Sequence, residues 1–199
     1  MIGAGETNMK KKTTSGTTPE IVLGVTGSIA AYKAAELVRL MIKNGWNVTV
    51  IMTKGATQFV GPITFQTLSR RPVIVDMFAE PEAWTPEHIS VADRADVMVI
   101  APCTANVIAK LAHGIADDML SATALANTAP LIVAPAMNVN MWDHPATQAN
   151  VATLKSRGVT LMDVGVGDLA CGYEGRGRMA EHGLILTCVS EALRQSRVS

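Results

Sequence analysis

Residues 169–181 read LACGYEGRGRMAE and place one thiol, Cys171, among Gly172, Gly175 and Gly177. A segment so rich in glycine is costly to hold in one shape. A loop that opens for a ligand and closes over it would explain a reactive group there; an incidental thiol on a surface turn is the plainer reading. Three other stretches carry groups suited to a phosphorylated cofactor. In GVTGSIAAYK (24–33) a β-branched run enters Gly27, then Ser28, then a helical pattern. The N–H groups of Ser28, Ile29 and Ala30 would point outward with the positive end of the helix behind them, a phosphate cradle. The third glycine of G-x-G-x-x-G is absent, as is the Lys-Ser/Thr of a P-loop, so an ordinary strand-to-helix turn reads equally well. MTKG (52–55) ends a second strand without the acid that grips a ribose 2′-hydroxyl, which argues against NAD; Thr53 could offer a hydroxyl to a phosphate instead. In APCTAN (101–106), Thr104 and Asn106 can cap the helix that follows, and with Ala105 they are small enough to let a flat ring lie against the backbone.

The elements that must position these loops alternate. Ile21 to Val25, residues 47–52, 96–102 and 130–136 are short apolar runs read as buried strands, and VTLMDV (159–164) is read as a last one. Between them lie helical patterns. One ends at Gly45, one follows the Gly-Pro pair at 61–62, one breaks near Gly114, one starts at Pro145, and a final one holds LILTCVSEALRQ (184–195). Strand and helix in turn predict a doubly wound parallel α/β sheet, a Rossmann- or flavodoxin-like three-layer sandwich. In such sheets ligands bind at the carboxyl ends of the strands, and every loop named above follows a strand.

Composition narrows the function class. With 199 residues, 48% of them hydrophobic, the chain suits one domain over residues 20–199, preceded by a Gly/Thr/Lys-rich leader over 1–19 read as disordered. Seventeen basic residues balance seventeen acidic ones, so no nucleic-acid or anionic-membrane footprint is visible. No apolar run approaches the roughly eighteen residues of a membrane span, and the N-terminus lacks a signal-peptide core. Cys103, Cys171 and Cys188 are odd in number and widely spaced, with no metal-binding pattern, which points to a reducing, cytoplasmic setting. His113, His144 and His182 read as surface or cap residues.

Structural need does not explain PAMNVNMW (135–142). Pro-x-Met-Asn-x-x-Met-Trp resembles the signature of the homo-oligomeric flavin-containing cysteine decarboxylases. GSIAAYK, HISVADRADVMVIAPCTANVIAKLA and ACGYEGRGRM are similar to the same family, in the same order, over roughly residues 20 to 196. The resemblance implies FMN as cofactor, contacted by Gly27, Ser28, Ile29, Thr53, Thr104, Ala105, Asn106 and Ala136. It further implies that Asn138 holds a cysteine carboxylate, that His88 and Cys171 form the catalytic pair, and that Ala170 and Met179 belong to a substrate-covering flap.

Within that family, ACGYEGRGRM resembles the flap of the branch that works in coenzyme A biosynthesis, and the resemblance implies conversion of 4′-phosphopantothenoylcysteine to 4′-phosphopantetheine. In that branch the thiol is oxidised to a thioaldehyde, CO2 leaves, and the enethiolate is re-reduced, with the cofactor carrying the hard steps. The residue types fit. TPEH (85–88) reads as Thr85 cap, Pro86 first helical residue and His88 one turn in, where a helix N-terminus disfavours imidazolium. Neutral imidazole can then accept the thiol proton. Asn138 offers amide donors without a charge that would stabilise the carboxylate ground state. A thiol such as Cys171 is largely protonated at neutral pH and so a usable acid.

The alternatives are a peptidyl-cysteine oxidative decarboxylase, which stops at the enethiol, a flavin prenyltransferase of the same fold, and a non-catalytic regulatory relative. The family also implies assembly as a trimer, or a dodecamer built from trimers.

Overall fold

The computed structural model describes residues 18–78, 86–168 and 174–196. Its centre is the strand Val97–Cys103, buried at every position. A run of seven apolar or small residues without alternation suits a strand covered on both faces. Four parallel strands surround it: β1 (Glu20–Val25), β2 (Asn47–Met52), β3 (Val73–Ile74) and, beyond the central β4, β5 (Leu131–Pro135); a two-residue β6 (Thr160–Leu161) closes the far edge. The order is β3-β2-β1-β4-β5-β6, so the direction of winding reverses between β1 and β4. A crevice forms at the carboxyl ends of strands where such a reversal occurs. The doubly wound parallel sheet expected from the sequence is thus present.

Strand periodicity sorts the core into two layers. Ile21, Leu23 and Val25 of β1 face α1 (Ala31–Lys43), α2 (Pro62–Ser69) and α8 (His182–Ser196), which contribute Leu37, Val38, Phe65, Ile185 and Val189. Val22 of β1, Ile51 of β2 and Met98 and Ile100 of β4 face the opposite layer. That layer is built from α3 (Glu87–Arg94), α4 (Ala105–His113), α5 (Met119–Ala126) and α7 (Pro145–Ser156). Gly24 marks how closely α5 is seated: a Cβ there would fall 2.5 Å from Leu120 Cδ1.

Helix ends follow the sequence signals. Asn44 and Gly45 (φ 79°) stop α1, and Gly114 (φ 70°) stops α4 and separates it from α5, the break expected near that residue. His144 Nδ1 accepts the Ala146 N–H and caps α7, as expected, whereas half-buried His182 makes a tertiary contact instead of a cap, its Nε2 3.0 Å from the Lys33 carbonyl of α1.

Four expectations need correction. First, α1 starts at Ala31, not at the glycine turn, because the Ser28 N–H donates to Thr26 O (2.8 Å) and the Ala30 N–H to Ser28 Oγ (3.3 Å). Short polar side chains compete for backbone groups in this way. Second, α3 starts at Glu87; Pro86 is its boundary residue, with an extended ψ of 133°, so His88 is the second helical residue rather than one turn in. Third, VTLMDV pairs over Thr160 and Leu161 only, after which the Met162 N–H bonds to Val133 O at 2.8 Å.

The fourth concerns the glycine-rich segment. Part of it is not loop: β7 (Gly165–Asp168) and β8 (Glu174–Arg178) form an antiparallel ribbon. The short helix α6 (Val139–Asp143), unread in the sequence, lies between β5 and α7. Of the leader expectation, residues 1–17 lie outside the described residues; Pro19 lends its carbonyl to the Asn47 N–H. Among the described residues, no helix is long and apolar enough to cross a membrane, and no cluster of His, Cys, Asp and Glu could hold a metal ion.

Candidate functional site

The loops after β1, β2 and β4 meet at the winding reversal. The closest approach is between glycines: a Cβ on Gly27 would lie 3.0 Å from the carbonyl carbon of Gly55. At this distance Gly27 has no room for a side chain, whereas a Cβ on Gly55 would make ordinary contact, 3.5 Å from Gly27 Cα. The third loop is tied to the first by Thr26, which is fully buried. Its hydroxyl donates to Pro102 O (2.8 Å) and accepts the Thr104 N–H (3.1 Å). Thr104 then caps α4 by accepting the Val107 N–H at 3.4 Å. Thr53 turns its own loop, its Oγ1 3.2 Å from the Ala56 N–H.

These loops border a cleft of about 570 Å³, within the size range of small-molecule and cofactor sites. Gly27, Thr53, Thr104 and Asn106 all line it. Of the three N–H groups expected to form a cradle beside it, only that of Ile29 has no partner among the described residues. Sequence reasoning missed several lining groups: Met77 and Phe78 beyond β3, Met141 of α6, and the trio Lys110, Asp117 and Asp118.

Lys110 Nζ reaches Asp117 Oδ1 at 2.6 Å and Asp118 Oδ2 at 2.8 Å. Burial acts to raise the pKa of Asp118, but hydrogen bonds from Lys110 and Ser121 outweigh it and hold the carboxyl below its ordinary value. Asp118 also caps α5 reciprocally with Ser121. That capping pattern before an apolar run was a readable signal; the lysine one loop away was not.

The PAMN segment leaves β5 between two backbone anchors. Ala136 N–H donates to Cys103 O, and Met137 N–H to Gly177 O of β8, both at 3.0 Å. Asn138 caps α6: its Oδ1 accepts the Asn140 N–H at 2.8 Å. Ala136 is buried and is not part of the cleft lining. Met179 is buried as well, packed in the layer with Ile185 and Val189. Half-buried Ser28 and Ala105 flank the lining residues Gly27, Thr104 and Asn106.

His88 lies partly buried in the first turn of α3, the helix packed on α5, and is not among the cleft-lining residues. Ala170 and Cys171 lie outside the described residues. The two other thiols are unsuited to acid–base work. Burial pushes the pKa of Cys103 far up, and burial with the nearby Glu191 carboxylate raises that of half-buried Cys188.

Over 161 residues the chain is 52% identical to the "Coenzyme A biosynthesis bifunctional protein CoaBC" of Bacillus subtilis (strain 168), covering 81% of this chain and 40% of that one. It therefore spans less than half of that relative. Against a Streptococcus mutans protein named "Probable phosphopantothenoylcysteine decarboxylase" the identity is 42% over 178 residues, 88% of this chain and 99% of the relative.

Two solved structures superimpose with a TM-score of 0.77 at 32% identity. One is a PPC decarboxylase with a cysteine-to-serine mutation, complexed with pantothenoylaminoethenethiol, aligned over 87% of this chain and 97% of that one. The other is the FMN-dependent cysteine decarboxylase SpaF, aligned over 89% and 97%. The Flavoprotein family model matches residues 9–194, and the chain belongs to that family.

Proposed function

We propose that the chain binds FMN and decarboxylates 4′-phosphopantothenoylcysteine to 4′-phosphopantetheine, a step of coenzyme A biosynthesis. The observation that carries this reading is the meeting of Gly27, Thr53, Thr104 and Asn106 around one cleft whose rim includes Met141 of the PAMNVNMW segment. The donor set fits a flavin mononucleotide. The Gly27–Gly55 approach admits a phosphate close to backbone, the Ile29 N–H supplies a donor at a strand-to-helix turn, and the threonines add hydroxyls. Thr104, Ala105 and Asn106 form the wall for a flat ring, with Ser28 and Ala136 flanking it. Similarity to an FMN-dependent cysteine decarboxylase and to a PPC decarboxylase supports both cofactor and substrate.

Bound FMN would supply a reversible two-electron acceptor for the substrate thiol. The chain's own residues do the rest. Asn138 donates from its amide nitrogen to the departing carboxylate and, being neutral, does not over-stabilise it. An imidazole nitrogen of His88 takes the thiol proton, and the Cys171 thiol returns a proton to the carbon chain after CO2 loss. Ala170 and Met179 belong, in this scheme, to the flap that covers the substrate.

We further propose a cytoplasmic homotrimer, which could assemble into a dodecamer. Ile29 and Tyr32 at the start of α1 and Phe59 and Ile63 near α2 are exposed apolar residues on adjoining elements, and a neighbouring copy would cover them. Residues 20–199 form the catalytic domain in this reading, with 1–19 as leader.

The test is incubation of FMN-loaded protein with phosphopantothenoylcysteine, following CO2 and the organic product together. Equal amounts of CO2 and 4′-phosphopantetheine are expected. An enethiol as sole product would assign the chain to the oxidative branch, and no CO2 would overturn the decarboxylase reading.

A further inference from the structure

The ribbon β7–β8 touches the sheet domain at one informative place. Gly177 has φ 148°, a conformation that favours glycine, and its carbonyl accepts the Met137 N–H at 3.0 Å. A Cβ at Gly177 would collide with the Met137 carbonyl oxygen and would stand 3.6 Å from the carbonyl carbon of Asn138. Two residues earlier, a Cβ on Gly175 would come within 3.2 Å of Val139 Cγ2. Alternate residues of β8 therefore lie bare against Met137, Asn138 and Val139, and Gly177 is itself buried. On the other side the Cys103 carbonyl holds Ala136. The segment carrying Asn138 is thus gripped between the end of the central strand and the glycine face of the ribbon.

We infer that Gly177 is a positioning residue: its backbone fixes Met137 and so sets where Asn138, as cap of α6, presents its amide. The inference rests on the functional reading above for the role of Asn138, and on geometry alone for the bracing. Substitution at Gly177 forces backbone apart from backbone, which no side-chain rotation relieves. At Gly175 the obstacle is a valine side chain, which can yield by a few tenths of an ångström, so the same effect should be smaller. A displacement of about 1 Å at a group that orients substrate costs on the order of a hundredfold in rate.

Two measurements on the FMN-loaded protein test this. Amide hydrogen exchange resolved over residues 136–142 should show Met137 protected in the wild type. In Gly177→Ala it should exchange about tenfold faster or more, with β4 and β5 unchanged. For decarboxylation of phosphopantothenoylcysteine, Gly177→Ala should lower kcat/KM between about tenfold and a hundredfold while the bound-flavin absorption spectrum stays the same. In an Asn138→Ala background the same substitution should cost less than about twofold, because its effect runs through Asn138.

Should Gly177→Ala fail to fold, Gly175→Ala decides by the same readouts, with a smaller loss expected. Losses that multiply in the double variant, or unchanged exchange at Met137, overturn the inference. Wild-type protein that releases no CO2 sinks the functional reading instead, and the exchange measurement still decides the bracing.

Discussion

The hydroxyl of Thr26 accepts the Thr104 N–H at 3.1 Å while donating to the Pro102 carbonyl at 2.8 Å, and the residue is wholly buried. One side chain at the end of β1 thereby sets the loop after β4, and with it Thr104 and Asn106 on the cleft wall. Thr26→Val keeps the shape and removes both bonds. It leaves a buried donor and a buried acceptor unpaired, each costing about 1–3 kcal/mol. Denaturant titration should show a loss of about 2–4 kcal/mol and flavin titration a weaker affinity, with Thr26→Ser close to wild type. Wild-type stability in Thr26→Val would mean that the two loops are held by packing alone.

Gly27→Ala separates cofactor binding from folding. Its Cβ would meet the Gly55 carbonyl carbon, Cα and oxygen at 3.0–3.2 Å, all backbone atoms of the loop after β2. Relief requires the two cleft loops to part by a few tenths of an ångström. FMN affinity should fall about tenfold or more, about 1.4 kcal/mol, against about 1–2 kcal/mol of unfolding free energy. Fluorescence quenching on FMN titration reads the first and a urea melt the second. Full affinity would place the mononucleotide away from the Gly27–Gly55 contact.

The sequence made some of this plain and hid the rest for physical reasons. Gly27, Thr53, Thr104 and Asn106 were legible because each follows a strand, and a parallel sheet sends all such loops to one edge. β4 was legible from its unbroken apolar run, and the α4–α5 break from Gly114. β8 was not: EGRGR has no β-branched residue and alternates only charged residues with glycine, and it is a strand because β7 pairs with it and because glycine alone fits against the Met137 backbone. Thr26 and Lys110 were missed because their partners come from tertiary contact: Thr26 lies seventy-six residues from Pro102, and the Lys110 pairs span the α4–α5 loop. Residues 169–173, with Cys171, lie outside the described residues.

Acid stability should report on Glu20. Partial burial works to raise its pKa, but hydrogen bonds from Arg71 and Asn47 and the charges of Arg71 and Arg94 together outweigh it and hold the carboxyl below its ordinary 4.5. Arg71 NH1 approaches Oε2 at 2.6 Å, and Asn47 Nδ2 approaches Oε1 at 2.6 Å. A carboxyl whose folded pKa is depressed stabilises the fold fully above its unfolded pKa and loses that contribution as pH falls through the folded value. Asp118, depressed by Lys110 and Ser121, acts in the same direction. Urea midpoints measured from pH 7 down to 3 should hold steady to about pH 5 and then drop, and Glu20→Gln should be less stable at pH 7 with a shallower drop. A drop as steep in Glu20→Gln as in the wild type would remove Glu20 from the acid transition.

Lys110 is the last group whose role can be separated by substitution. It lines the cleft, yet its ammonium is engaged by two carboxylates, with the lysine side chain 16% exposed and those of Asp117 and Asp118 60% and 31%. A cation so neutralised is poorly placed to serve a phosphate; its work is to fasten the end of α4 to the start of α5 and to cancel acid at the cleft. Lys110→Met keeps the stem and removes the charge, leaving two carboxylates facing a site for an anionic mononucleotide. The ion pairs are partly exposed, so stability should fall by only about 1–2 kcal/mol. FMN affinity should fall about tenfold at low salt and less at high salt, where screening shortens the reach of the exposed carboxylates. Adding Asp117→Asn to Lys110→Met should restore part of the affinity by removing one of the uncompensated charges. An affinity loss that ignores both salt and the second substitution would show that Lys110 serves the cofactor by direct contact, against the pairing described here.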